Sequence, residues 1–512
     1  IRDLRMSRGL GDVYKRQVVI IGSGLGGLSS GVFLAKSGYD VTVLEQSNQI
    51  GGCLQCFIRK GVKFETGMHF IGSADKGQVL YKLMKALEID DKISLYRLDP
   101  NGYDVISLAG KEYKFANGRD SFIEQLAKDF PAQRKNLEKY WNLIENVANS
   151  SSVHTLNLDS DNFSAEIESQ IHSIDEVIES LISDSMLANV LVGNLPLYAA
   201  EKGKTPFSTH AFIMDFYNQS AFRIVGGSDS IANALQEVLY KYHGRVLCKK
   251  KVVNIVCNDK EATGVLCNDG TSYDADIIIS SIHPLRTLEL LGDNHLIRNA
   301  YRNRLNNIDQ TVGCFSVYLH FKDDTVPYMN HNYYVYNQDT PWGCEDYTKE
   351  NWPKGYLYMH FCHEKNIKYA KAGVILSYMR FEDVCQWKDY KSGKRGIDYE
   401  MFKKYHADKL LKSLEKYFPG ILSKIENYYT STPLTYLSYT GTEGGSMYGI
   451  AKDVNKGISG RISHRTRIPN LLLTGQNINS HGMLGTLVGS VITCSDIIGE
   501  RKLYSEIINA NR

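Results

Sequence analysis

The sequence predicts an α/β chain: a parallel-sheet domain assembled from separate stretches, with a mixed α+β domain inserted between them. Three observations carry this. Short apolar runs at Val18 to Ile21, Val41 to Leu44, in DADIIISS and in LLLTG have the form of parallel strands buried on both faces. Glycine-rich turns follow the first and last runs and lead into helical segments. The intervening stretches differ in character, one largely helical and one rich in aromatic residues.

The first run continues into Gly22, Gly24 and Gly27 at G-x-G-x-x-G spacing, then an Ala/Leu/Ser-rich helical stretch that Gly38 stops. Gly22 permits a tight turn, Gly24 lets backbone approach a pyrophosphate, and Gly27 lets helix and strand pack closely. The helix N-terminus then offers unpaired N–H groups and a positive dipole end. Glu45 closes the second strand, where a carboxylate accepts from a ribose 2′-hydroxyl and repels a 2′-phosphate. Strand, glycines, helix, strand and acid in this order form a Rossmann-like site for a dinucleotide.

Beyond Glu45, Gly51 and Gly52 offer a second place for backbone to lie against a cofactor, and GVKFETGMHF alternates like a strand entering a turn. His69 ends that segment, either over a ring system, as a proton donor, or as a hydrogen-bonded structural histidine. Cys53 and Cys56 form one C-x-x-C; the readings are a redox dithiol, half a metal site, or two reduced thiols beside a cofactor, the last being preferred. No second C-x-x-C completes a zinc site, so no metal is expected.

Residues 76–221 read as a helical lid or substrate region, with a mobile loop from Ser150 to Gln170. From Arg223 a glycine turn, a helix near Ser230 to Tyr242, and the runs RVLCKKKVVNIVCN, ATGVLCND and SYDADIIISS return to the first domain; Asn268-Asp269-Gly270 links the last two runs. Residues 286–454 form a substrate domain of aromatic strands, with Tyr333, Tyr334, Tyr336, Tyr356 and Tyr358 crowded together. Such tyrosines serve as ordinary packing or line a pocket for a long apolar ligand. LLLTG, His481, Gly482 and Gly485 then lead into a helix, a second site for negative charge. The nucleotide domain thus comprises residues 18–75, 222–285 and 455–500.

At 512 residues, 43% hydrophobic and 23% charged, the chain suits two or three globular domains. A net charge of +2 argues against a nucleic-acid partner. Residues 1–17 carry five basic residues and two acidic ones without hydrophobic periodicity. They resemble translated sequencing-adapter read-through more than a basic arm, and are set aside as a non-native leader that has displaced any native signal. The scattered cysteines suit a reducing compartment, and no apolar run reaches membrane-spanning length.

Taken together, VVIIGSGLGGLSSGVFLAKSGYDVTVLE, IGGCLQCF, RIVGGSDSIANAL, GVLCNDGTSYDADIIISS, TPLTYLSYTGTEGGSMYG and LLLTGQNINSHGMLG resemble the FAD-dependent phytoene-desaturase superfamily. The likeness is greater to its carotenoid isomerase and all-trans-retinol 13,14-reductase branch, and runs from Val18 to about Gly499. The resemblance implies an amine-oxidase-like fold with FAD held by Gly22, Gly24, Gly27, Glu45, Gly51 and Gly52. It implies backbone contact to the adenine side near Val252 or Val253, and flavin contacts from Gly475 and the Gly482–Gly485 turn. It also implies an apolar tunnel for a polyene or lipid-like molecule, often reached from a membrane surface; with the cysteine pattern, the expected location is cytoplasmic, peripheral at that surface. Two residues depart from the pattern: Glu65 stands where many relatives have Asp, and Cys53 where desaturases are often basic. The expected chemistry is flavin hydride exchange with a C=C bond, as saturase, isomerase or desaturase. His69, His481 and a sheet tyrosine are the candidate proton donors. With one dinucleotide motif only, electrons come from an external donor or from the substrate. The rival readings are a flavin amine oxidase and a non-catalytic lipid-binding relative without FAD.

Overall fold

The computed structural model describes residues 15–156 and 169–512. Five parallel strands form the nucleotide sheet in the order Arg245–Leu247, Asp40–Leu44, Gln17–Ile21, Ile277–Ser280, Leu471–Leu473. These are the apolar runs expected from sequence, with one addition. Both faces are covered: Val18, Ile20, Val41 and Val43 enter one core cluster, and Val19, Ile21 and Leu44 another. Full burial of each such side chain stabilises by about 1.5–3 kcal/mol. Helices Leu25–Lys36, Asp229–Lys241 and Gly482–Ile498 cover one face. The first and last of these meet through small residues, with Ser29 Oγ and Ser490 Oγ 2.7 Å apart.

Two sequence runs are divided between sheets. In RVLCKKKVVNIVCN, Arg245–Leu247 is the edge of the parallel sheet and Val252–Cys257 belongs to a three-stranded antiparallel sheet. The chain turns between them at Lys249, with φ of +58°. In SYDADIIISS, Ser272–Asp274 completes the antiparallel sheet and Ile277–Ser280 enters the parallel one. A run of strand-forming residues does not reveal where the chain changes partners.

The second domain is built on a seven-stranded mixed sheet in the order Ile425–Ser431, Gly313–Phe321, Ala372–Met379, Gly355–His360, Asn332–Tyr336, Asp104–Leu108, Lys111–Phe115. Its last two strands correct the helical reading of residues 76–221: that stretch gives Asp104–Leu108 to a parallel pairing with Asn332–Tyr336. Ile425–Ser431 is an edge strand that alternation did not reveal, and a helix at Glu500–Ala510 follows the predicted end of the nucleotide domain. A small sheet of Ile71–Gly72, Ala221–Ile224 and Leu95–Arg97 adjoins both domains. Of the expected leader, Gln17 opens the first strand and Arg16 O accepts from Asp40 N; residues 1–14 lie outside the described residues. So does 157–168, most of the expected loop, whereas Ser152–Thr155 is a short helix.

Candidate functional site

The strand Gln17–Ile21 has Asp40–Leu44 on one side and Ile277–Ser280 on the other. Connections therefore leave in opposite directions above Ile21, and a crevice opens at the carboxyl ends. A continuous cavity of about 600 Å³ begins there and extends under the seven-stranded sheet.

At the nucleotide end, Gly22 has a φ of +93° and its N–H donates to Leu44 O (2.8 Å). A Cβ on Gly27 would stand 2.1 Å from Gly22 O, so the helix crosses the turn too closely for any side chain. A Cβ on Gly24 would meet nothing within 4 Å and would project into the cavity. Helix Leu25–Lys36, which Gly24 caps, has no side-chain cap and no acid in its first turn. Its N–H groups and dipole are left for an anion, so the cradle fits a diphosphate.

Glu45 is buried, with Oε2 accepting from the backbone N–H (3.0 Å) and hydroxyl (2.6 Å) of Ser23, and Oε1 accepting from Ser47 N–H (2.8 Å). The carboxylate is thereby held at the cavity wall with lone pairs left for a ribose hydroxyl. Gly51 N–H donates to Ser23 O (2.9 Å), and a Cβ on Gly52 would lie 3.3 Å from Gly24 Cα. The second glycine pair thus lies directly on the first turn. Val252 lines the cavity, whereas Val253 is 41% exposed and does not.

In the last block Gly475 and Gly482 line the cavity, and Gly482 is the first residue of its helix. Gly485 serves packing, since a Cβ there would meet Ser480 Cβ at 2.6 Å. Sequence reasoning missed Gly26, whose Cβ would come 2.9 Å from Gly475 Cα, and Lys250, Lys251, Ser281 and Asn477 at the wall. The first strand's C-terminal turn carried a signal for Gly26; the others carried none.

The candidate proton donors separate clearly. His481 is absent from the main cavity wall. It faces a small cavity with Lys452 and Thr311 and tilts against Tyr448, ring centroids 4.4 Å apart. Burial, then the positive Lys452, pushes His481 down to about 4, so it is neutral at neutral pH. The sheet tyrosines divide by parity. Tyr333, Tyr356 and Tyr358 belong to the core on the outer face, where Tyr333 and Tyr358 stack edge-on to Phe418, although Tyr356 also borders the cavity. Tyr334 and Tyr336 belong to the cavity-side core. The hydroxyls of Tyr336, Tyr378 and Tyr448 donate to the carbonyls of Gly193 (2.7 Å), Leu195 (3.3 Å) and Pro196 (2.9 Å), and so are occupied. His69, only 8% exposed, lines the cavity; its Nδ1 is 3.4 Å from Glu65 Oε2.

All ten cysteines are free. Burial pushes the Cys53 thiol up to about 11, and burial followed by Glu65 pushes Cys56 up to about 12. Neither is a thiolate at neutral pH. A thiol reagent added to native protein is expected to label exposed Cys385 first. Against an ordinary thiol at 9.0, the raised values alone should slow Cys53 and Cys56 by at least about 100-fold. Rapid labelling of Cys53, read by peptide mass, would reinstate the dithiol reading.

A dinucleotide crevice at the sheet's switch point, opening directly into an apolar chamber within a second domain, defines a flavin-type oxidoreductase. The chain belongs to the flavin containing amine oxidoreductase family, whose pattern matches residues 25–346. It is similar to human all-trans-retinol 13,14-reductase, at 29% identity across 97% of this chain and 87% of the human protein. It is also similar to the chloroplastic prolycopene isomerase of Daucus carota, at 24% identity across 92% of this chain and 77% of that protein. Among solved structures, an oxidoreductase from Methanosarcina mazei shares the fold with a TM-score of 0.63 at 17% identity, covering 93% of this chain and 99% of that one. A putrescine oxidase with bound putrescine shares it with a TM-score of 0.61 at 14% identity, covering 95% and 99%.

Proposed function

We propose that the chain is an FAD-dependent oxidoreductase acting on carbon–carbon double bonds of an apolar polyene, retinoid- or carotenoid-like, as saturase, isomerase or desaturase. The observation that carries this reading is the chamber beneath the seven-stranded sheet. Its wall includes Leu357, Met359, Leu376 and the rings of Tyr336, Tyr378 and Tyr448, whose hydroxyls are already bonded to backbone carbonyls. Of the carboxylates at the cavity wall, Glu45 is held by Ser23 and Ser47, and Glu289 pairs with Arg286 at 2.5 Å. With Glu45 at the nucleotide end and Glu289 paired, the described residues offer an ammonium substrate no unpaired carboxylate in the chamber itself, which favours the polyene over the amine. The names of the human and carrot relatives point the same way.

FAD, when bound, supplies the two-electron exchange. The chain's residues position the substrate, exclude water and hold a proton. Of the candidate donors, His69 keeps a ring nitrogen, Nε2, without a hydrogen bond among the described residues, and it does so at the cavity wall. The electrons are proposed to come from an external donor or from the substrate, which rapid, saturable bleaching of the flavin by NADH would overturn. No helix among the described residues is long and apolar enough to cross a membrane; peripheral contact with a lipid surface forms part of the proposal because the substrate class partitions into lipid.

Anaerobic incubation of oxidised and reduced enzyme with a panel of polyenes, read by mass, tests this. A gain of two hydrogens identifies a reductase, a loss a desaturase, and an unchanged mass with altered retention an isomerase. Peroxide release with amines and no polyene product would overturn the proposal in favour of an amine oxidase.

A further inference from the structure

We propose that Glu65 is a positioning residue for His69: the two side chains share one proton, and its presence decides whether the imidazole turns an N–H or a lone pair into the cavity. This rests on the reading of the cavity as the place where substrate reacts.

The geometry is local in sequence but enforced from outside. Glu65 ends the strand Val62–Glu65, paired with Cys56, and the chain turns through Thr66, Gly67 and Met68 to reach His69. That turn lies against the Gly52–Leu54 loop, since a Cβ on Gly67 would sit 3.0 Å from Cys53 Cβ. The imidazole is stacked on Phe361, centroids 5.7 Å apart and planes 27° apart. Arg223, itself 1% exposed, donates to His69 O (3.3 Å) and so holds the residue's backbone. Ring plane and main chain are both fixed, leaving Nδ1 facing Glu65.

Proton placement follows from the chemistry of the two groups. When the pair carries the extra proton, it exists as imidazolium with carboxylate or as imidazole with carboxylic acid. In the first, Nδ1–H donates to Glu65; in the second, Glu65 O–H donates to Nδ1. Either way the second nitrogen, Nε2, bears hydrogen. When the proton leaves, Glu65 is a carboxylate accepting from Nδ1–H, and Nε2 presents a lone pair. Loss of one proton therefore converts the cavity-facing nitrogen from donor to acceptor. Glu65 is 3% exposed, and burial raises its proton affinity, which favours the protonated, neutral pair. The charged and titratable groups facing it are His69, Arg223 and Asp229, with Cys56 and Cys362 also within electrostatic reach. Asp229 is bound by Lys63 at 3.0 Å, and the positive charge of Arg223 opposes part of the rise at Glu65.

The test uses full-length enzyme labelled with 15N in histidine and 13C at glutamate side-chain carboxyls, followed by NMR across pH. Loss of the His69 signals in His69→Gln and of the Glu65 signal in Glu65→Gln gives the assignments. As the Glu65 carboxyl signal passes from acid to carboxylate, the His69 nitrogens are expected to change together from the Nε2–H to the Nδ1–H form. In Glu65→Gln that change of tautomer should be lost, and Glu65→Asp should restore it. His69 nitrogens that do not follow the Glu65 carboxyl in wild type, or that change tautomer unaltered in Glu65→Gln, would overturn the proposal. This arm needs no substrate, so it stands or fails apart from the polyene assignment. With an accepted polyene, the pH profile of kcat should lose one limb in Glu65→Gln while KM changes less than about 3-fold; a KM effect alone would reduce Glu65 to a structural role.

Discussion

Gly24→Val is expected to fold with the thermal midpoint of the flavin-free wild type and to purify colourless. The backbone at Gly24 has φ −67° and ψ 177°, an extended conformation open to any residue, and its added Cβ meets nothing within 4 Å. The variant therefore costs the fold little. The valine instead occupies the space in front of the helix N-terminus where a diphosphate would sit. Loss of that approach should weaken cofactor binding by at least about 100-fold, or ~3 kcal/mol. Gly27→Ala makes the contrast, because its Cβ would lie 2.1 Å from Gly22 O. Relieving that overlap requires the helix to move, so this variant should lose stability and flavin together. Absorbance near ~450 nm and thermal midpoints with and without FAD distinguish the two, since only a binding-competent chain is stabilised by added cofactor. Stoichiometric flavin in Gly24→Val would mean that the cradle is placed wrongly.

Asp104→Asn is expected to be more stable than wild type at pH 8 and to lose most of that advantage at pH 5. Asp104 is fully buried where Asp104–Leu108 pairs with Asn332–Tyr336. Its Oδ1 accepts from Asn332 Nδ2 (2.7 Å), while among the described residues Oδ2 lacks a hydrogen bond of good geometry, with Asn194 and Tyr334 beside the carboxyl. Burial pushes the carboxyl up to about 7 from the ordinary 3.8, with Asn332 and the positive Arg223 offsetting part of the rise. The sign follows from linkage. The folded state holds the proton more tightly than the unfolded state, so stability is fully present below about pH 4 and is lost as pH rises through about 7. The full shift corresponds to a loss on the order of 4 kcal/mol above that range. Asparagine carries no charge to bury and removes the dependence. Thermal midpoints of the two proteins from pH 5 to 8 should diverge as pH rises; parallel curves would show that Asp104 is charged in the folded protein at no cost.

The two variants stand at opposite ends of what could be seen in advance. Gly24 was legible because its place in the turn depends on residues within a few positions: a buried strand, a spaced glycine set and a helix. The same holds for Glu45, which the second strand carries to the crevice from 21 residues away in sequence, within one strand–helix–strand unit. Asp104 was not legible. Its strand falls in a stretch with helical surroundings and pairs with a strand more than 200 residues later. Nothing local distinguishes that acid from an exposed one.

The tyrosines show the same boundary more finely. Alternation in HNYYVYN identifies a strand and places Tyr334 and Tyr336 together on one face, with Tyr333 on the other. It does not say which face meets the cavity, because a slip of one residue in register would exchange them. Likewise, the G-M-H turn put Glu65 and His69 close in sequence, but Arg223 on a distant strand and Phe361, just past the end of another, had to arrive to hold them together. His481 lay beside a glycine turn as promising as any, yet it faces away from the main cavity.

By itself, then, the sequence determined the local parts of the crevice: the glycine turn, the position of Glu45, and the apolar runs that become the parallel sheet. Backbone conformation and burial on both faces leave their mark residue by residue, so composition and spacing suffice there. The tertiary structure alone decided which tyrosines face the chamber, that their hydroxyls are bound to Gly193, Leu195 and Pro196, and that His69 reaches the cavity with Glu65 behind it. Those facts depend on strand register and on contacts between residues far apart in the chain, and single-chain periodicity carries no information about either.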